Sequence, residues 1–394
     1  MSFSPVAVVS PRGVERLRAG HPWVYRSDVR SVDAGPGDLV AVHTERGRPL
    51  AWALWSSTSQ IALRSLGADL EPDDDRRWLG ARITAAAAFR DTLGIDGSAW
   101  RIVNAESDRL PGLIVDRYAD EGGVYLVVQT LCQGMDRRLA VIADVLTETF
   151  HPLGILARND PKVRRLEGLD ETVEVLSGEV PETVDVREGR FRMRTDLRHG
   201  QKTGLFLDQR ENHQAAARYA RGRALDGFTY HGGFALALAG TADTVLALDS
   251  SAAAVAAARA NVDRNAVGNV EVREVNVFDE LRELDIARER FDTIVLDPPA
   301  FAKNRASLRR GLAGYKEINL RALKLLEPGG ILLSCSCSYH VSEALLMEVI
   351  GEAARDAGVS VSLVEKRMQS RDHPILFGVP ETYYLKCLVL RRLN

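Results

Sequence analysis

Short apolar runs broken by glycine, proline and charge dominate the first seventy residues. Val6-Ala7-Val8-Val9, Leu39-Val40-Ala41-Val42, Ala51 to Trp55 and Ile61 to Leu63 each fit a short strand, and Gly35-Pro36-Gly37-Asp38 marks a turn. This part of the chain is predicted to be mainly β. The pattern lengthens over Trp78 to Leu93, where Leu79, Ile83, Ala86 and Phe89 recur at helical spacing. Arg101 to Tyr118 reads as two strands flanking Pro111-Gly112, followed by a strand from Val124 to Leu131 and a helix from Met135 to Phe150. The alternation of Arg190-Phe191-Arg192-Met193-Arg194 predicts a strand with one charged face.

From residue 223 the pattern becomes strand, loop, helix, repeated. Strands are expected at Arg223 to Phe228, Thr244 to Leu248, Val270 to Val275, Ile294 to Leu296 and Gly330 to Cys337. Helices are expected from Phe234 to Ala239 and, alanine-rich, up to about Ala266. Such alternation predicts an α/β fold with a parallel, doubly wound sheet. Tyr384 to Leu390 is expected to close it as an edge or final strand. The acidic, Pro-containing Glu71-Pro72-Asp73-Asp74-Asp75 supplies a boundary, giving a β-rich domain over 1–72, an α+β domain over 73–186 and an α/β domain over 187–394.

Composition narrows the function. The chain has 394 residues, 45% hydrophobic and 27% charged, with a formal net charge of -3, so it does not attract nucleic acid as a whole. Any such binding must rest on local basic groups, of which Arg12 to Arg18, Arg158 to Arg165 and Arg187 to Lys202 are the clearest. Gly20-His21-Pro22-Trp23-Val24-Tyr25-Arg26 reads equally as a packed turn or as an aromatic and basic RNA surface. Four scattered cysteines do not make a disulfide framework, which points to a reducing, cytoplasmic setting. Met1 to Val9 lacks the pattern of a signal peptide, and no eighteen-residue apolar stretch predicts a membrane span.

Candidate chemistry gathers at strand ends. The run into Asp297-Pro298-Pro299-Ala300-Phe301 places a carboxylate where a strand must stop, since proline cannot continue a ladder. That lip is where open α/β sheets hold ligands, and a carboxylate beside a Pro-Pro wall suits the edge of a nucleobase. About forty residues later Ser334-Cys335-Ser336-Cys337-Ser338 ends another apolar strand, so acid and thiol sit on strands that are candidates for neighbours. Gly227, Gly232 and Gly233 allow close backbone approach, and Asp249 lies where a nucleoside-binding fold puts an acid on ribose hydroxyls. Gly-x-Gly-x-x-Gly is absent, which disfavours a dinucleotide and leaves a phosphate-free adenosine ligand such as S-adenosylmethionine. The paired cysteines can be small core residues or include a nucleophile; no second Cys or His cluster offers metal spacing.

Gly200-Gln201-Lys202-Thr203-Gly204-Leu205-Phe206-Leu207-Asp208-Gln209-Arg210, Asp226 to Gly233, Asp297 to Phe301 and Ser336-Cys337-Ser338 strongly resemble the RlmI-type methyltransferases. Upstream the resemblance takes in Asn104-Ala105-Glu106, Leu110 to Tyr118, and Gly20-His21-Pro22-Trp23, which looks like that family's amino-terminal PUA domain. It implies a Rossmann-like class I methyltransferase domain, the cofactor S-adenosylmethionine, 5-methylcytosine formation in 23S ribosomal RNA, and a homodimer. Carried over by position, Cys337 is implied as nucleophile at cytosine C6 and Asp297 as the group holding the ring edge at N3. Phe206, Gln209, Arg210, Asp226, Phe228, Asp249 and Asn276 are implied for the cofactor pocket, with Asp297 at its border. His21, Trp23, Arg26, Arg158 and Lys202 are the RNA-facing candidates. Two departures stand out: Asn276 where many relatives have an acid, and Cys335 as an extra thiol. Other RNA cytosine-C5 methyltransferases carry a second Cys after the motif proline, where Ala300 sits, so the group removing the C5 proton is unassigned. Adenine amino-methylation would want an aromatic at that same position, and a non-catalytic RNA-binding scaffold would need neither acid nor thiol.

Overall fold

The computed structural model describes residues 5–72, 74–302 and 304–394. The chain forms two compact units: one holds the segments ending at Val186, Thr195–Leu207 and Asp372–Thr382, the other Arg187–Arg194, Asp208–Arg371 and Tyr383–Asn394.

The first unit contains two sheets. A six-stranded one runs in the spatial order Trp23–Tyr25, Ile61–Gly67, Pro49–Trp55, Leu39–Thr44, Val6–Val9, Val29–Val32, antiparallel except where Val6–Val9 meets Leu39–Thr44. Arg12 and Arg16 fall on the helix Pro11–Arg18, whose N-cap is Ser10 with its side chain accepting from the Gly13 amide. A five-stranded sheet takes Ala99–Asn104, Leu113–Ala119, Val124–Thr130, Gly154–Asn159 and Thr172–Gly178 in chain order. The predicted boundary at Asp73 lies outside the described residues; after it, Asp74 caps the helix Asp75–Asp91 through the Arg76 amide. The helix predicted over 135–150 is broken into Gln133–Asp136 and Leu139–Phe150, with Arg138 turned inward onto the Gly37 and Gly134 carbonyls and Asp75.

The second unit is one seven-stranded sheet covered by helices. Its strands are β1 (Arg223–Gly227), β2 (Thr244–Asp249), β3 (Val270–Glu274), β4 (Phe291–Leu296), β5 (Leu326–Ser336), β6 (Val361–Met368) and β7 (Lys386–Arg392). They lie in the order β3-β2-β1-β4-β5-β7-β6, the first five parallel and β7 antiparallel to both neighbours. The reversal of order beside β1 is the switch point at which such sheets open a crevice. Helices α1 (Arg210–Tyr219), α2 (Gly233–Ala239), α3 (Ala252–Arg264), α4 (Val277–Ile286), α5 (Leu308–Leu325) and α6 (Glu343–Ala357) complete it.

Of the two placements expected for the last apolar run, it is the final strand of the chain and not an edge: β7 is inserted between β5 and β6, and its residues Lys386 to Leu390 are buried. Apolar residues on both faces demand cover on both sides, which an interior strand receives. The edge belongs to β6, whose Val-Ser-Leu-Val-Glu-Lys-Arg-Met mixes charge with apolar residues and gives no clean period.

Several arginines in the first unit are interior. Arg90, with a fully buried side chain, pairs with Asp108 at 2.5 and 2.8 Å and also donates to the Arg101 and Asp372 carbonyls. Removing one partner of such a pair strands the other charge in the interior. Arg90→Ala is therefore expected to cost about 3–5 kcal/mol of stability, read as a lower midpoint in urea unfolding.

Candidate active site

The site is assembled at the carboxyl ends of β1, β2, β4 and β5. Parallel pairing aligns β4 with β5 so that Leu296 lies beside Ser334, one residue before Asp297 and three before Cys337. Acid and thiol are thus on adjacent strands at the same lip. Asp297 is half-buried and its amide donates to the Gly227 carbonyl at 3.2 Å, tying it back to β1.

The flanking serines decide where Cys337 points. Ser336 and Ser338 are fully buried, as is Tyr315 on α5. Ser336 Oγ donates to the Tyr315 hydroxyl at 2.9 Å, and that hydroxyl lies 2.9 Å from Ser338 Oγ. Ser338 Oγ also accepts from the Ala302 amide at 3.2 Å, so the loop after Asp297-Pro298-Pro299 is fastened to the turn that carries the thiol. Cys337, between two inward serines, is left partly exposed. Cys335, two residues earlier, is fully buried. Its hydrogen bond to Cys387 and its burial push that thiol well above the ordinary range, so it stays protonated. Cys132 and Cys387 are buried core residues.

The loop between β1 and α2 carries strain. Phe228 (φ +70°) and Tyr230 (φ +49°) both adopt left-handed backbone, which costs non-glycine residues about 1–3 kcal/mol each. Gly233 is required by contact: a Cβ there would lie 2.5 Å from the His213 ring. Asp249 at the end of β2 accepts from the Tyr230 amide at 3.0 Å and from the Ser251 amide at 2.9 Å. Phe228, Phe278 and Phe301 form an aromatic wall, with ring centroids 5.6 to 6.2 Å apart.

Beneath that loop Asp226 is fully buried. One oxygen accepts from the Thr229 hydroxyl at 2.6 Å, while Oδ1 has no partner among the described residues. Burial pushes its carboxyl up to about 7. His213 Nδ1 lies 2.6 Å from Glu188. Burial opposes the His213 charge, but Glu188, with Asp297 and Asp226 behind it, outweighs burial and raises its pKa. A buried carboxylate with a vacant acceptor wants a cationic group, and the ammonium of an amino-acid ligand is one. The amino-acid end of S-adenosylmethionine therefore fits this donor set.

The remaining predicted residues are placed variously. Gln209 and Arg210 are buried where α1 begins; Gln209 accepts from Asn212 at 2.6 Å and hydrogen-bonds the Cys335 thiol. Asn276 is exposed, and its Oδ1 caps α4 through the Phe278 amide at 3.0 Å. Phe206 belongs to the first unit, where the Lys202 ammonium lies 4.5 Å from its ring centroid. Of the RNA candidates, Trp23 Nε1 donates to Glu106 at 3.0 Å and His21 stacks edge-on against it. Arg26 is held by the Ser56 and Ser59 carbonyls. Arg158 is a correction: it is 2% exposed and holds Asp160 and the Leu197 and Gly200 carbonyls, so it cannot meet phosphate. Sequence reasoning missed Tyr315 and Lys386; only the latter left a signal, as a lone charge inside the apolar run Leu385 to Leu390. Among the described residues, three metal-capable side chains converge only at Glu182, Asp196 and His199, in the first unit.

Comparison with known proteins identifies the family and its domains. A family model described as S-adenosylmethionine-dependent methyltransferase matches residues 162–391, and a PUA-like domain model matches residues 7–67. The ribosomal RNA large subunit methyltransferase I of Aeromonas hydrophila is 41% identical over 94% of this chain and 95% of its own length. Its namesake in Erwinia tasmaniensis is 36% identical over 98% of this chain and 99% of its own. A SAM-dependent methyltransferase from Streptococcus mutans superposes with a TM-score of 0.83 over 98% of this chain and 99% of that one, at 17% identity, which shows a shared fold. A methyltransferase solved with SAH gives 0.84 over the same coverage, at 18% identity. No described helix is long and apolar enough to cross a membrane. The chain belongs to the S-adenosylmethionine-dependent methyltransferases, in the family of ribosomal RNA large subunit methyltransferase I, with an amino-terminal PUA-like domain.

Proposed function

We propose that this protein methylates C5 of a cytosine in 23S ribosomal RNA, with Cys337 as the covalent nucleophile. The observation that carries this reading is the contrast between the two strand-end thiols. Cys335 is buried and held protonated, whereas Cys337 stands partly exposed beside the strand that ends in Asp297. Adenine amino-methylation would not need a thiol there, and Ala300 offers no ring to stack a base. The ribosomal RNA substrate is supported by the names of the relatives and by the PUA-like domain.

Cytosine C5 is a weak nucleophile because the ring is electron-poor. Addition of the Cys337 thiolate forms an S–C6 bond and pushes the displaced electron pair through C5 and C4 onto N3, which takes a proton from the Asp297 carboxyl at the ring edge. S-adenosylmethionine, when bound, would supply an electrophilic methyl group, which C5 takes with S-adenosylhomocysteine as leaving group while N3 returns its proton to Asp297. Loss of the C5 proton to solvent then restores the C5–C6 double bond as the S–C6 bond breaks and Cys337 leaves as thiolate. Asp226 would hold the cofactor's ammonium and Asp249 its ribose hydroxyls, with Phe228 beside the adenosine and Gln209 and Arg210 closing the floor. Phe206, also implied by resemblance, belongs to the first unit, and Asn276, already capping α4, would contribute little. His21, Trp23, Arg26 and Lys202 remain the RNA-facing candidates of the first unit.

The test is mass spectrometry of nucleosides from 23S ribosomal RNA with and without the gene. Loss of one 5-methylcytidine, restored by wild type and by Cys335→Ala but not by Cys337→Ala, is the expected result. An unchanged 5-methylcytidine level with loss of another methylated nucleoside would overturn the cytosine mechanism.

Asp226 gives a separate, proton-linked prediction. Its folded pKa of about 7 lies above the ordinary carboxylate value, so the folded chain keeps a proton that the unfolded chain releases. Its ionisation therefore costs stability progressively as pH rises from about 4 to 7. An ammonium placed on Oδ1 favours the ionised form, so binding S-adenosylhomocysteine at about pH 6 should release a proton to buffer. Calorimetry in buffers of different ionisation enthalpy should show that release in wild type and not in Asp226→Asn.

A further inference from the structure

Lys386 opens β7 directly opposite Ser336 on β5. It is 2% exposed, and its Nζ donates to the Ser338 carbonyl at 2.8 Å and to the Tyr384 carbonyl at 2.9 Å. Those neutral acceptors satisfy two of three ammonium protons, and no carboxylate pairs with Nζ among the described residues. Glu343 on α6, the nearby acid, is already engaged by Lys366 at 2.6 Å and by the Tyr383 hydroxyl at 2.9 Å. A buried ammonium without a counter-ion is costly. Burial accordingly pushes Lys386 down to about 8, and only the charges of Cys337 and Glu343 oppose it. The carbonyl that Nζ grips belongs to the residue after Cys337, so the cation is fastened to the turn that presents the thiol.

Among the described residues, the acids, phenols and thiols around this turn do not supply that charge. Tyr315 on α5 is kept protonated chiefly by its burial. Asp297 ends β4 and, like Glu343, is an acid that disfavours a thiolate nearby. Cys335 and Cys387 face one another across β5 and β7. Tyr384 hydrogen-bonds Asp208 at 2.7 Å, and Lys366 on β6 is paired with Glu343.

We propose that Lys386 is the counter-cation of the Cys337 thiolate, a positioning residue that keeps the nucleophile ionised at the lip of the sheet. This rests on the reading of Cys337 as nucleophile. The Cys337 proton goes to solvent and the sulfur keeps the electron pair that forms the bond to C6. When that bond breaks, the pair returns to sulfur and the thiolate meets the same ammonium.

The experiment is alkylation of Cys337 by iodoacetamide across pH in the full-length protein, with the labelled residue located by fragment-ion mass spectrometry. In wild type the midpoint is expected below the ordinary cysteine value of about 8.5. Lys386→Gln keeps two N–H donors for the carbonyls but removes the charge, and should raise the midpoint by about one unit, slowing alkylation at neutral pH roughly tenfold. A wild-type midpoint at or above the ordinary value, or coincident profiles in wild type and folded Lys386→Gln, would overturn the pairing. Should Lys386→Gln fail to fold, the wild-type midpoint alone decides. Methyl transfer by Cys337→Ala separates the two readings. Retained transfer removes the nucleophile whatever the alkylation profile, while lost transfer with an unshifted Lys386→Gln profile removes only the ion pair.

Discussion

Parallel pairing of β4 with β5 is the constraint on which the rest of the site depends. Its register fixes Leu296 against Ser334, so Asp297 and Cys337 emerge at one lip rather than at opposite ends of the sheet. A slip of one residue would exchange the two faces of β5 and bring Ser336 or Ser338 to where Cys337 stands. The bonds from Tyr315 to both serines oppose that slip, because breaking them would bury unpaired hydroxyls. Ser338 also anchors the Ala302 amide, so the loop that follows the acid is fastened to the turn that carries the thiol, and Tyr315 of α5 holds that serine in turn.

Charge in the second unit is arranged around groups left incomplete. Asp226 has one satisfied oxygen and one vacant one, and Lys386 has two neutral acceptors and no carboxylate. Both are buried, and burial moves each towards its neutral form. Structural ionic groups in the first unit look different. Arg64 reaches Glu167 at 2.8 Å, Arg90 is paired with Asp108, and Arg101 binds Asp116, which also accepts from Thr203 at 2.6 Å. Completed pairs specify packing; the two incomplete groups of the second unit are those to which the proposed reading gives the cofactor's ammonium and the thiolate.

Basic residues in the first unit illustrate how composition misleads. Arg26 and Arg158 sit in segments that read as nucleic-acid patches, yet their guanidinium groups hold backbone carbonyls, and Arg158 is closed off from solvent. Five donors in a planar fork make arginine a good binder of loop carbonyls as well as of phosphate, and a sequence does not distinguish the two uses.

The sequence by itself determined the alternating α/β pattern, the strand-end acids Asp249 and Asp297, and the thiol pair, because these depend on local periodicity and on prolines that stop a strand, whereas Asp226 came only from the resemblance. Strand pattern alone left Cys335 and Cys337 equivalent, since both are small residues on one face of an apolar strand, and only the resemblance of Ser336-Cys337-Ser338 to a known family pointed to Cys337. The tertiary structure separated them, by packing one against Cys387 and leaving the other at the lip between two serines anchored to Tyr315. It likewise decided between an edge and an interior place for the final apolar strand, and the interior place brought Lys386 beside Ser336. Local pattern records what a residue prefers to touch; which partner it meets is set by strand order and register, and those are properties of the assembled sheet.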